Sequence, residues 1–133
     1  MKDWLSRKVR FVKASLDEKA DVTRASVELE RGGAERFVGR VERPSEGVNI
    51  LQAGAQAAAE AVQQAVGIEG AVISVQDVTK TLVFGEPVVV VSVSATVRNE
   101  TFQLYGVCHV TDDLAEAAAL AVLNATNRVC DLA

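Results

Sequence analysis

The sequence predicts an α+β fold built as a duplication, βββα-βββα, with antiparallel sheet and two Ala-rich helices on one face. Three observations carry this expectation. Two alanine-rich segments, Asn49–Val66 and Asp113–Cys130, open with the same capping spacing, Asn49 with Gln52 and Asp113 with Glu116. A shift of 64 residues carries Asn49 onto Asp113, Ala57 onto Ala121 and Ala61 onto Ala125. The segment before each helix also corresponds: FVGRV (Phe37–Val41) falls on LYGVC (Leu104–Cys108) at a shift of 67, placing Gly39 on Gly106. Self-similarity on this scale takes precedence over local readings. The chain therefore reads as one domain, residues 1–133, made of two pseudo-repeats at about 8–67 and 70–130.

The first repeat follows from its pattern. Lys2–Ser6 reads as a short helical turn that docks Trp4 and Leu5. Lys8–Leu16 alternates weakly and reads as a strand, and Asp17–Asp21 as a charged turn. Val22–Glu30 sets Val22, Ala25, Val27 and Leu29 against Glu28 and Glu30, a strand with one solvated face. Arg31-Gly32-Gly33 supplies a hairpin, because glycine reaches positive φ without steric cost. Ala34–Glu42 is the third strand, and Arg43-Pro44-Ser45-Glu46-Gly47 breaks both periods and reads as a loop. The first helix follows from Asn49 to Val66 and stops at Gly67.

The second repeat has the same order. Ala71–Phe84 is a long strand, expected to bend near Lys80, and Gly85-Glu86-Pro87 is a turn. Val88–Arg98 places Val89, Val91, Val93, Ala95 and Val97 inward and Ser92, Ser94 and Thr96 outward. Asn99-Glu100 makes a hairpin into Thr101–Val110, and the second helix runs from Asp113 to about Cys130. Alanine at every fourth helix position lets another backbone approach closely. Glycines inside strands, Gly39 and Gly106, mark a close approach or a bulge, with a ligand groove beside them as the second reading.

Composition bounds the class of protein. Hydrophobic residues make up 49% and charged residues 24%, the profile of an ordinary globular protein. Only 5% is aromatic, so the core must be built from Val, Leu, Ile and Ala. No apolar run approaches the ~20 residues that span a bilayer. The opening MKDWLSRKVRF lacks a signal-peptide apolar region, and two cysteines without metal or redox spacing suit a reducing compartment, so a cytoplasmic location is expected. The net charge of −4 is unevenly placed: residues 1–43 sum to +3 and the remainder to −7. Basic and acidic residues interleave in the first part, the pattern of a solvated strand face. Nucleic-acid binding, which depends on clustered positive charge, is therefore disfavoured but kept as an alternative through the basic N-terminal half.

Chemistry-bearing residues are sparse. His109 follows Cys108 in a strand, so the two side chains point to opposite faces and cannot form a nucleophile–base pair. One histidine and two separated cysteines fall short of a metal site. Asp113 is accounted for as a helix cap, and Asp112 favours the positive end of the same helix. Asn124, Asn127 and Arg128 read either as a polar cluster or as a solvated helix end. No catalytic constellation emerges, so no enzyme activity, cofactor or metal is expected.

The tail GVCHVTDDLAEAAALAVLNATNR resembles the closing motif of the C-terminal regulatory domain of 2-isopropylmalate synthase and its citramalate synthase relatives. Gly106, Asp113, Leu114, Ala117, Leu123, Asn124, Ala125, Asn127 and Arg128 carry the likeness. The family domain is two βββα units related by pseudo-symmetry. It dimerises and binds a feedback amino acid near the dimer interface and the loops that start its helices. The resemblance therefore implies a stand-alone, non-catalytic regulatory domain that forms a homodimer, binds an amino-acid-like small-molecule effector and serves a partner enzyme. By position it implies Gly39, Pro44, Ser45, Asn49, Gly106, Thr111, Asp112 and Asp113 as ligand-binding residues. Two segments depart from the family: Val41–Gly47 is longer and charged, and Leu82–Pro87 replaces a small polar turn. The family's acyl-transfer chemistry, which needs a catalytic barrel, is not carried over. A structural or protein-interaction domain without ligand is the alternative. Apolar residues on both faces of Val88–Val91 independently favour a dimer, because only one face can meet the helices.

Overall fold

The computed structural model describes residues 9–67 and 70–131, with side chains of the last helix as far as residue 127. The expected turn at Lys2–Ser6, with Trp4 and Leu5, and the side chains of Arg128 and Cys130 lie outside the described residues. The element order is β1 (Val9–Lys19), β2 (Val22–Arg31), β3 (Glu35–Pro44), α1 (Ile50–Val66), β4 (Val72–Val83), β5 (Glu86–Val97), β6 (Glu100–His109) and α2 (Leu114–Asp131). The strands form two three-stranded antiparallel meanders, β1-β2-β3 and β4-β5-β6, each followed by its helix. This is the duplicated βββα α+β fold.

The duplication extends to irregularities. The β1–β2 register shifts between Phe11 and Lys13, and the β4–β5 register shifts between Val75 and Asp77. The bulged residues Val12 and Gln76 are related by the same 64-residue shift as the helices. The one register irregularity in β4 is this bulge, four residues before Lys80, and a bulge twists the strand locally. The hairpin turns after β1 and β4 match as well: Ala20 has φ 55° and Phe84 has φ 51°. The strands overrun the expected boundaries. β1 continues through the charged Asp17–Lys19, which pair with Val22–Arg24, and β3 continues to Pro44, opposite Val22. Pro44 is tolerated there because β3 is an edge strand. Pro87 lies in the central strand β5 but is only its second residue, where pairing begins.

The helices are buried around most of their circumference because each touches both sheets as well as its twin. In α1, Ala53, Gly54, Ala55, Ala57, Ala58, Ala59, Ala61, Val62, Ala65 and Val66 are all buried. Small side chains are what permit this. A Cβ on Gly39 would press on the Ala57 carbonyl and lie 2.7 Å from the Ala61 nitrogen. A Cβ on Gly106 would do the same to Ala121 and lie 2.8 Å from the Ala125 nitrogen. The strand glycines are thus where the helix backbone rests on the sheet. Between the helices, a Cβ on Gly54 would lie 2.9 Å from the Ala115 carbonyl oxygen. Around these contacts Val27, Leu29, Val62, Val66, Val89, Val91, Val93 and Val122 are fully buried, each side chain worth about 1.5–3 kcal/mol of transfer free energy.

Polar side chains fasten the layers. Gln64 Nε2 donates to the Val38 carbonyl at 2.8 Å, and Asn124 Nδ2 donates to the Val107 carbonyl at 3.0 Å. Ile73 N–H donates to Gln63 Oε1 at 2.9 Å, which joins α1 to the second sheet. The Arg31 guanidinium donates to the Ala65 carbonyl at 2.6 Å and stacks 5.1 Å from the Phe37 ring centre. It supplies a positive charge to the C-terminal end of α1, whose own last turn has no basic residue. On the outer face of the first sheet the interleaved charges form ion pairs, Arg24–Glu42 at 3.2 Å and Arg36 with Glu28 and Glu30 at 2.9 and 3.4 Å.

Candidate functional site

Both helices start as the sequence requires. Asn49 is extended (φ −98°, ψ 106°), and its Oδ1 accepts from Gln52 N–H at 3.1 Å. Asp113 Oδ1 accepts from Glu116 N–H at 3.1 Å. Thr111 braces the second cap: its hydroxyl donates to the Asp113 carbonyl at 2.9 Å, and Asp113 N–H donates back to the Thr111 hydroxyl oxygen at 3.2 Å. Asp112 is exposed beside it. The two starts are neighbours, since Gly54 in α1 meets Ala115 in the first turn of α2.

The eight residues singled out from the sequence separate into three places. Gly39 and Gly106 lie buried under the helices, where the helix backbone occupies the space beside them. Pro44 and Asn49 line a cleft of about 160 Å³ at the start of α1, together with Arg43, Glu46, Gly47, Val48, Gln52, Ala53 and Gln56. Ser45 shapes the loop above it: its N–H donates to the Asp21 carbonyl at 2.7 Å, and its hydroxyl is 2.9 Å from the buried Thr23 hydroxyl. Thr111, Asp112 and Asp113 lie at the start of α2.

The first cleft adjoins a larger one, about 270 Å³, through the shared residues Arg43 and Gln56. This second cleft runs between the end of β3, the flank of α1 and the start of β4. Arg43, Gln56, Glu60, Gln63 and Ser74 give it polar groups, while Val41, Ala59, Ile73 and Val75 give it an aliphatic wall. Arg43 Nη2 donates to Gln56 Oε1 at 2.6 Å, so the guanidinium is held at the junction. A cation on the strand and a carboxylate on the helix thus line one open, mainly polar cleft with aliphatic side chains at its base. Sequence reading missed Arg43, Gln56, Glu60 and Gln63. The signal was present: Gln52, Gln56, Glu60 and Gln63 form a polar stripe at helical spacing on an otherwise alanine-rich helix.

Cys108 and His109 sit on opposite faces of β6, Cys108 half-buried and His109 exposed. Burial pushes the Cys108 thiol up, and the Glu116 carboxylate adds to the effect. Its Sγ lies 3.3 Å from the His109 carbonyl, to which the S–H donates. Among the described residues no group of three or more His, Cys, Asp or Glu could hold a metal ion. No helix there is long and apolar enough to cross a membrane. Together these features define a duplicated βββα domain with a polar-rimmed cleft beside its first helix. Neither the known family models nor the curated proteins give a match to this sequence.

Proposed function

We propose that the protein is a cytoplasmic, non-catalytic dimerisation module that binds an amino-acid-like effector and regulates a partner enzyme, similar to the regulatory domain of 2-isopropylmalate synthase. One observation carries the reading: the cleft beside α1 joins Arg43 and Glu60 to an aliphatic wall of Val41, Ile73 and Val75. The guanidinium pairs with a carboxylate in a planar, bidentate fashion. Glu60 accepts from an ammonium group, and the wall receives a branched aliphatic side chain. The duplicated βββα layout is the architecture that the sequence resemblance implies.

Thermal denaturation with branched-chain amino acids and their 2-keto acids at millimolar concentration tests the proposal. An effector at ten times its Kd adds about 1.4 kcal/mol to stability, which raises Tm by several degrees. Amino acids should stabilise the chain more than the keto acids, which lack the ammonium group. No shift with any of these compounds would overturn the ligand assignment.

A further inference from the structure

We infer that the outer face of the β4-β5-β6 sheet, with the β4–β5 tip, is the surface through which two copies of this chain associate. The inference rests on the dimerisation reading above and assigns it a place. The two sheets share one backbone plan, so the first shows how the second would look if both outer faces met only water. Asp17 and Thr81 occupy equivalent outward positions, as do Lys19 and Val83, Arg24 and Val88, and Arg40 and Val107. Charge in the first sheet is replaced by an apolar or hydroxyl side chain in the second at each of these positions.

Exposed apolar side chains cluster on this face, around Tyr105 and Val107, and at its tip, with the buried Val88 between them. Val107 is 45% exposed and Tyr105 69%, and at the tip Val83 is 41% and Phe84 101% exposed. Val90 lies between Thr79 and Val107 and joins the sheet surface to the tip. Phe84 holds a left-handed backbone, φ 51°, where a bulky residue is strained. The equivalent Ala20 meets the same turn with a small side chain, so the turn itself does not call for an aromatic.

The occupant is a second copy. A two-fold interface places one patch against its own image, so like charges would face each other. The outer face of the first sheet, crowded with Arg, Lys, Asp and Glu that pair with one another, is poorly suited to that, whereas the second carries, among the described residues, only two carboxylates, Asp77 and Glu86. Its size is sufficient. Three strands at ~4.8 Å spacing and ten to twelve residues at ~3.3 Å cover roughly 14 by 36 Å, or on the order of 1,000 Å² for two copies. A specific interface needs about 1,000 Å². Face-to-face packing of two twisted sheets provides the geometry.

The test gives the second sheet the residues its twin already carries. Light scattering with size exclusion should find the native chain dimeric at tens of micromolar. V83K/V107R should be monomeric, with unchanged circular dichroism and a dissociation constant raised at least ~100-fold by like-charge apposition. V38R, on the outer face of the first sheet, should remain dimeric. A dimeric V83K/V107R, or a V38R that alone dissociates, would overturn the assignment of the surface while leaving dimerisation intact. A monomeric native chain would overturn both the surface and the dimer reading.

Discussion

Gly39 packs directly beneath the Ala57 carbonyl, and Gly106 repeats that contact with Ala121 one unit later. The pairings bring together residues shifted by 67 in the strand and by 64 in the helix. The two shifts differ because the chain between strand and helix is longer in the first unit. Each glycine sets the distance between a helix and its sheet.

Substituting either glycine should therefore be severe. In Gly39→Ala and Gly106→Ala the added methyl meets helix backbone, which cannot swing aside as a side chain would. Each should cost at least the upper part of the ~1–3 kcal/mol typical of overpacking. Gly54→Ala, facing the Ala115 backbone, should cost less because the contact is looser. Urea denaturation of the three variants checks the order.

The helix caps should contribute equally. Asn49→Ala and Asp113→Ala each remove one acceptor from a first-turn N–H and should cost about 1 kcal/mol. Asn49→Asp and Asp113→Asn should retain most of the stability, since each keeps an acceptor. Thermal melts of the four variants separate capping from charge.

Arg31 should matter more than its salt bridge to Glu35 suggests. Its bond to the Ala65 carbonyl ties the β2–β3 hairpin to the end of α1, so Arg31→Met should cost about 1–2 kcal/mol. The hydrogen bond from Arg31, and then its charge, hold the Glu35 carboxyl below the usual carboxylate range. A lowered folded value stabilises the protein above the unfolded value and is lost as pH falls through the folded one. Glu35 is fully exposed, so solvent screens this contribution, and Glu35→Gln should barely change the acid side of the stability profile. Comparable losses in the two variants would contradict this assignment.

Much of this architecture was legible in the sequence because it rests on local signals. The caps at Asn49 and Asp113, the stop at Gly67 and the inward Val/Ala alternation of β5 all appear where periodicity and turn chemistry place them. Gly39 and Gly106 revealed the duplication, yet they also drew attention as candidate ligand contacts, and there the structure puts helix backbone. The reach of β1 through Asp17–Lys19 was hidden because those charges face solvent on a protruding hairpin, where polarity and strand formation coexist. The cleft at Arg43 and Glu60 was hidden for another reason. It forms between two units, and sequence periodicity describes each element against its own core.

Cys108 should be a slow nucleophile. A raised thiol value means less thiolate at a given pH, and the thiolate is the reactive form. In a Cys130→Ser background, alkylation at neutral pH should lag behind a free small-molecule thiol and accelerate as pH rises into the alkaline range. Glu116→Gln removes the lesser of the two causes, so it should raise the neutral-pH rate modestly, by less than about tenfold. A rate equal to that of the free thiol would show that burial does not govern this group.

The proposed effector is a zwitterion held by Arg43 and Glu60 in the cleft between β3, α1 and β4. Isothermal titration of the native chain with branched-chain amino acids, beside Arg43→Ala and Glu60→Gln, tests this most directly. One saturable site per chain is expected for at least one of these amino acids. Each variant should lose ten-fold or more in affinity, in line with the ~1.5–3 kcal/mol of a charged hydrogen bond. Binding that survives both substitutions unchanged, or no binding heat from any of these amino acids at millimolar concentration, would contradict the proposal.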